Sequence, residues 1–217
     1  MRITAMFLSL FLWSAHSFAQ ALIPMHFSLE DDNVLLNEND SVRYYQQLAD
    51  TTKIVCINED ASSYKLLNKA RKLITDGYFT AEGDKYLQEG KWTQRYDNGK
   101  VKVTGYYSKN KPVGAWQECY PTGNPKSIYS YAIINDNGVI STCISGTWQE
   151  FYPDGKMKAS GFYSATAIKV SDTLIIEDPI TDTKVSKIMI HSDYKPEKTG
   201  HWEYFKQTGE LDKKEDL

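Results

Sequence analysis

The side chains with chemistry to offer are few and scattered. Two glutamates, Glu118 and Glu150, recur at one position, each two residues after a tryptophan. A glycosidase-type acid–base pair needs two carboxyls roughly 5–10 Å apart across a cleft. Gln94 and Tyr204 stand at the same position elsewhere in the chain, so a tolerant strand position accounts for the glutamates better than catalysis does. Of the four histidines, His16, His26, His191 and His201, none has the spacing of a metal site. Cys56, Cys119 and Cys143 fit neither a zinc nor a Cys-x-x-Cys pattern. Cys119 and Cys143 lie in neighbouring stretches and could pair; the plainer reading is three free thiols packed as small hydrophobes. Gly-x-Ser-x-Gly, P-loop and dinucleotide-binding fingerprints are absent. The expectation is a chain with no catalytic residues, no cofactor and no metal, and not an enzyme.

What does recur is architectural. The pattern Gly-x-Trp-x6-Gly occurs four times: Gly90, Trp92 and Gly99; Gly114, Trp116 and Gly123; Gly146, Trp148 and Gly155; Gly200, Trp202 and Gly209. After each Trp the residues alternate with period two, so that Trp92, Gln94 and Tyr96 share a face, as do Trp116, Glu118 and Tyr120, and Trp148, Glu150 and Tyr152. Alternation rich in aromatics is a half-buried strand. Turn residues follow at Asp97–Lys100, Pro121–Asn124, Pro153–Lys156 and Gln207–Glu210, with the glycine supplying the positive φ that closes each turn. The returning stretches Val101–Tyr107 and Met157–Tyr163 alternate too, with Gly105 and Gly161 at equivalent places. Each copy is therefore a β-hairpin. A lone hairpin is unstable in water and must be covered by neighbours. Regular recurrence assigns the tryptophans to the packing between hairpins rather than to an exposed platform. The later copies are spaced by insertions of about 8 and about 30 residues, additions of the kind that hang from the loops of a repeat array.

This arrangement resembles the variant class of MORN repeats (membrane occupation and recognition nexus). The residues that carry the resemblance are the Gly-x-Trp starts, Tyr96, Tyr120 and Tyr152, the Asn98-Gly99 and Asp154-Gly155 turns, and the Gly105-Tyr106-Tyr107 and Gly161-Phe162-Tyr163 returns. It covers roughly Asp76 to Gly209. The fourth copy departs, with Lys206 where tyrosine is expected. The resemblance implies a mainly β fold, an elongated antiparallel sheet of stacked hairpin repeats with a binding or scaffolding role and no catalytic residues. Some members are antitoxin-annotated, which makes an immunity or antitoxin-type inhibitor of a cognate toxin the alternative.

The flanks divide the rest. Arg2, the apolar run Ala5–Trp13 and Ser17-Phe18-Ala19 read as a secretory signal peptide over 1–19, so the chain is expected to be exported, periplasmic or extracellular. Residues 20–76 read as a polar segment, a short strand at Lys53–Ile57 and one short N-terminal helix over 62–76. That helix would place Tyr64, Leu67, Ala70 and Ile74 on an apolar stripe, with Gly77 ending it. Residues 77–209 hold the four repeats, 165–195 an inserted hairpin turning at Asp178–Asp182, and 210–217 a charged tail. The net charge of −3 argues against a nucleic-acid partner, and no later run is apolar enough to span a bilayer. The expected partner is a protein or cell-envelope component.

Overall fold

Strand follows strand in space in the order of the sequence. The computed structural model describes residues 33–39, 42–47, 52–83, 85–177 and 184–217. The expected signal peptide, His26 and the expected turn at 178–182 lie outside the described residues. Among those described, fourteen strands form one antiparallel sheet and there is no helix. They are β1 (Asn33–Asn39), β2 (Val42–Gln47), β3 (Lys53–Asn58), β4 (Ser63–Asn68), β5 (Leu73–Glu82), β6 (Lys85–Arg95), β7 (Val101–Ser108), β8 (Lys111–Cys119), β9 (Pro125–Asp136), β10 (Val139–Ile144), β11 (Gly146–Phe151), β12 (Met157–Glu177), β13 (Lys184–Phe205) and β14 (Leu211–Asp216). Only β10 leaves the simple order: β9 is long enough to pair with β10 along its outer half and with β11 nearer its start.

A flat sheet would leave both faces wet. Three of the four Gly-x-Trp starts bend the sheet by making three residues oppose one. Gly90, Lys91 and Trp92 lie between the Glu89–Tyr78 and Thr93–Asp76 pairs, opposite Gly77 alone. Gly114–Trp116 oppose Gly105 in the same way, and Gly200–Trp202 oppose Gly161. Such a bulge bends its strand and increases the local twist. It needs a left-handed residue at its first position, and Gly90, Gly114 and Gly200 have φ of 65°, 62° and 66°.

The stretch 62–76, expected as a helix, is instead the hairpin β4–β5. Its residues repeat the hairpin plan in disguise. Tyr64 stands in place of Trp and pairs with Gly77 as Trp92 pairs with Gly105. Ser62, at φ 46°, replaces the first glycine and Arg71, at φ 60°, the turn glycine. The turn bonds agree: Asn68 N–H donates to Lys72 C=O and Arg71 N–H to Asn68 C=O, as Tyr96 N–H does to Lys100 C=O and Gly99 N–H to Tyr96 C=O. Among the described residues the array therefore has five copies, and the first of these is hidden in the sequence by substitution at each diagnostic position.

The insertion at 165–195 is the outer length of β12 and β13, one uninterrupted ladder whose last described pair is Glu177–Lys184.

Candidate functional site

The repeat residues build one continuous aromatic ladder along the sheet. Rings pass from Tyr64 to Trp92 (centroids 5.2 Å apart), Tyr107, Trp116 and Tyr131, then through Tyr129 to Trp148, Tyr163, Trp202 and Tyr204. Most contacts are edge-to-face, the geometry favoured by the ring quadrupole and worth about 0.5–1.5 kcal/mol each beyond burial. Trp92, Trp116 and Trp202 are buried to within 3 %. Their indole N–H groups donate to the carbonyls of Tyr78 (2.7 Å), Val113 (3.2 Å) and Phe162 (3.1 Å). Burial pushes the phenols of Tyr64, Tyr107 and Tyr129 upward, and carries Tyr131 to about 12. Burial holds these phenols neutral within the packed layer.

The glycines of the return strands explain the fit. A Cβ at Gly77, Gly105 or Gly161 would stand 2.1–2.2 Å from the ring of Trp92, Trp116 or Trp202 respectively. Each indole thus lies directly on the backbone of the preceding hairpin. In the Gly114 copy the corresponding residue is Tyr129, which stacks on Trp148 at 4.9 Å. Lifted by that ring, Trp148 is only half-buried and makes no indole bond to a carbonyl among the described residues.

The second ladder is made by the turns. Tyr96, Tyr120 and Tyr152 donate their hydroxyls to the carbonyls of Cys119 (2.8 Å), Phe151 (2.9 Å) and Phe205 (2.8 Å), each one hairpin further on. Asn98 and Asn124 reach Pro121 and Pro153 in the same sense, and Lys100 and Lys156 reach Thr122 and Gln207. Lys206 holds the tyrosine position in the last copy, where no strand follows β14 among the described residues for a hydroxyl to reach. The positive-φ glycines Gly99, Gly123, Gly155 and Gly209 close these turns. Gly146 opens the Trp148 copy at φ 99°.

The same geometry places the side chains with chemistry to offer. Ser127 lies between Glu118 and Glu150, paired with both, so their backbones are two strands, about 10 Å, apart. Glu118 accepts from Tyr129 and faces Lys126; Glu150 is held by Lys158 at 2.6 Å. Each carboxylate is paired within its own hairpin. All three cysteines are free, Cys119 and Cys143 buried, with burial carrying the Cys143 thiol up to about 11. His201 sits on the surface between Asp216 (2.8 Å) and Glu203 (3.5 Å), which raise its pKa. No cluster of His, Cys, Asp or Glu among the described residues could hold a metal, and no described helix is long and apolar enough to cross a membrane.

What sequence reasoning missed is the outward half of the return motif. Tyr78, Tyr106 and Phe162 follow the three nested glycines and are 45–54 % exposed, while Phe79, Tyr107 and Tyr163 next to them point inward. The signal was present, since two adjacent aromatics on a strand cannot share a face. On the β9–β10 insertion Ile133, Val139 and Ile140 are exposed as well.

With that geometry in place, comparison with known proteins gives one family: the MORN repeat variant matches residues 88–109 and 144–165, the first and third Gly-x-Trp copies. These stretches are MORN-repeat variants, a class of protein- or membrane-binding modules. No curated protein and no solved structure matches the chain.

Proposed function

We propose that this chain of MORN-repeat variants is an exported, non-enzymatic module that binds a protein of the cell envelope and holds it along the sheet. The observation that carries the reading is the division of labour among its aromatics. Trp92, Trp116, Trp202 and the inward tyrosines are consumed by packing, whereas Tyr78, Tyr106 and Phe162 stand exposed at equivalent points of three hairpins, with Ser130 in that place in the hairpin between those of Tyr106 and Phe162. Aromatic side chains exposed in register are expensive to keep in water and are the groups that carry binding energy at protein interfaces. The stretch 1–19 supports export by its basic start, apolar run and small residues before the expected cut.

The test is in-cell photo-crosslinking with a benzophenone amino acid at position 106 or 162. The expected outcome is a discrete adduct with an envelope protein, made by a chain whose N-terminal sequencing begins after residue 19. Hydrolysis of an envelope polymer by the purified chain, with no adduct from either position, would overturn the reading.

A further inference from the structure

Beyond the repeat array β12 and β13 run on alone together. β11 pairs with β12 only as far as Tyr163, and β14 meets β13 only from Gly200 onward. Between these limits residues 164–177 and 184–197 pair with each other and, among the described residues, with no third strand. At about 3.3 Å per residue the ribbon is about 40 Å long. β10 comes beside its base, where burial first and Asp193 second raise the pKa of the Cys143 thiol. A two-stranded ribbon is marginal by itself in water, and an open edge is a template for another strand.

The two edges are not alike. Along β13 the sequence carries Pro196, which has no N–H to offer, and the charges Lys184, Lys187, Asp193, Lys195, Glu197 and Lys198. Proline and charge are the devices that blunt an edge. Along β12, from Ser164 to Ile176, there is neither proline nor glycine, and Lys169 and Asp172 are the only charges. The alternation of an antiparallel ladder, counted from the Gly146–Tyr163 pair, turns the peptide groups of every second residue from Ala165 to Glu177 away from β13. One edge is guarded and the other is open.

We propose that the outer edge of β12 is a docking strand, to which an extended, weakly charged segment of a partner protein adds as the third strand of the sheet. A row of alternating N–H and C=O groups is matched only by another extended backbone; a sugar or a lipid headgroup does not offer that alternation. The inference rests on the protein-binding reading above and gives it a place and a form.

The test uses the full chain and, as probe, a short capped peptide of alternating threonine and valine, with an analogue N-methylated on alternate residues. The plain peptide is expected to bind saturably and to slow hydrogen exchange in 164–177, and the N-methylated one to do neither. Ser171 has its amide on the open edge, so Ser171→Pro leaves the β12–β13 bonds in place and is expected to abolish binding. Ser171→Ala keeps the amide and is expected to retain it, with unchanged tryptophan emission reporting the fold in both variants. Equal binding of the methylated peptide, no binding of the plain one, protection along β13 instead, or a dimer in which 164–177 is already protected would each overturn the proposal. Photo-crosslinks from position 106 that survive Ser171→Pro would leave the binding function standing and remove the edge from it.

Discussion

Glycines in this chain do two different jobs, and substitution separates them. Gly105 has ordinary backbone angles but no room: an added Cβ would stand 2.1 Å from the Trp116 ring, which is itself fully enclosed. Gly155 has open space around it but a φ of 90° that side chains resist. Gly105→Ala should therefore cost about 3 kcal/mol through overpacking, and Gly155→Ala about 1 kcal/mol through backbone strain. Urea denaturation of the two variants checks the order, and equal losses would mean that the indole has somewhere else to go. The tryptophans differ in the same local way. Trp92→Ala removes a buried ring and its bond to Tyr78 C=O and belongs at the upper end of the about 3–5 kcal/mol range for such truncations. Trp148→Ala, at a half-buried ring propped on Tyr129, should cost visibly less.

At the level of elements the hairpins were legible and the first of them was not. Period-two aromatics and a glycine turn announce a strand pair without any help from the rest of the chain, which is why the Gly90, Gly114 and Gly146 copies could be drawn from sequence. In β4–β5 the indole is a tyrosine and the left-handed glycines are Ser62 and Arg71, while Tyr64, Leu67, Ala70 and Ile74 fall by coincidence at helical spacing. Tertiary pairing decided against that local pattern, and the only remaining trace was Gly77-Tyr78-Phe79, a return motif like Gly105-Tyr106-Tyr107. The candidate site was legible as a set of residues, but not which aromatics face outward, because that depends on the bulges. Between hairpins the turn tyrosines act as rivets. Tyr120→Phe deletes one hydroxyl bond to Phe151 C=O and should cost about 1 kcal/mol, a fall of about 2–4 °C in Tm. Calorimetry decides whether the ring alone suffices. The last hairpin carries a titratable clasp. Asp216, followed by Glu203, raises the pKa of His201 on β13, with Lys214 opposing. A raised folded value means that the stabilisation is complete below the ordinary pKa of about 6.5 and is lost as pH rises through the folded value. Amides of β14 should accordingly exchange more slowly at the acid end of the neutral range than at the alkaline end, after correction for intrinsic rates. His201→Gln should flatten that dependence.

For the whole molecule the decisive fact is that the two ends of each hairpin have different fates. At one end the turns stack in strict succession, from Asn68–Lys72 through Tyr96–Lys100 and Tyr152–Lys156 to Lys206–Glu210, and their cross-bonds leave no freedom for insertion. At the other end the links range from the tight Lys109–Asn110 turn, through the β9–β10 hairpin, to the long β12–β13 ribbon. Stability in such an array is the sum of repeats and nearest-neighbour contacts, so length added at the free end can vary without disturbing the stack. Replacing residues 167–194 by Asn-Gly keeps the Thr166–Lys195 pair as the closing pair of a two-residue hairpin loop. The shortened chain should fold with its tryptophan ladder intact and a Tm within a few degrees of the parent. It should lose the peptide and partner binding assigned to the β12 edge. Cys143, buried where the ribbon comes beside β10 and beside Asp193, should become open to thiol reagents at neutral pH. Loss of the cooperative transition in the shortened chain would instead make the ribbon part of the core, and the insertion could no longer be separated from the scaffold that carries it.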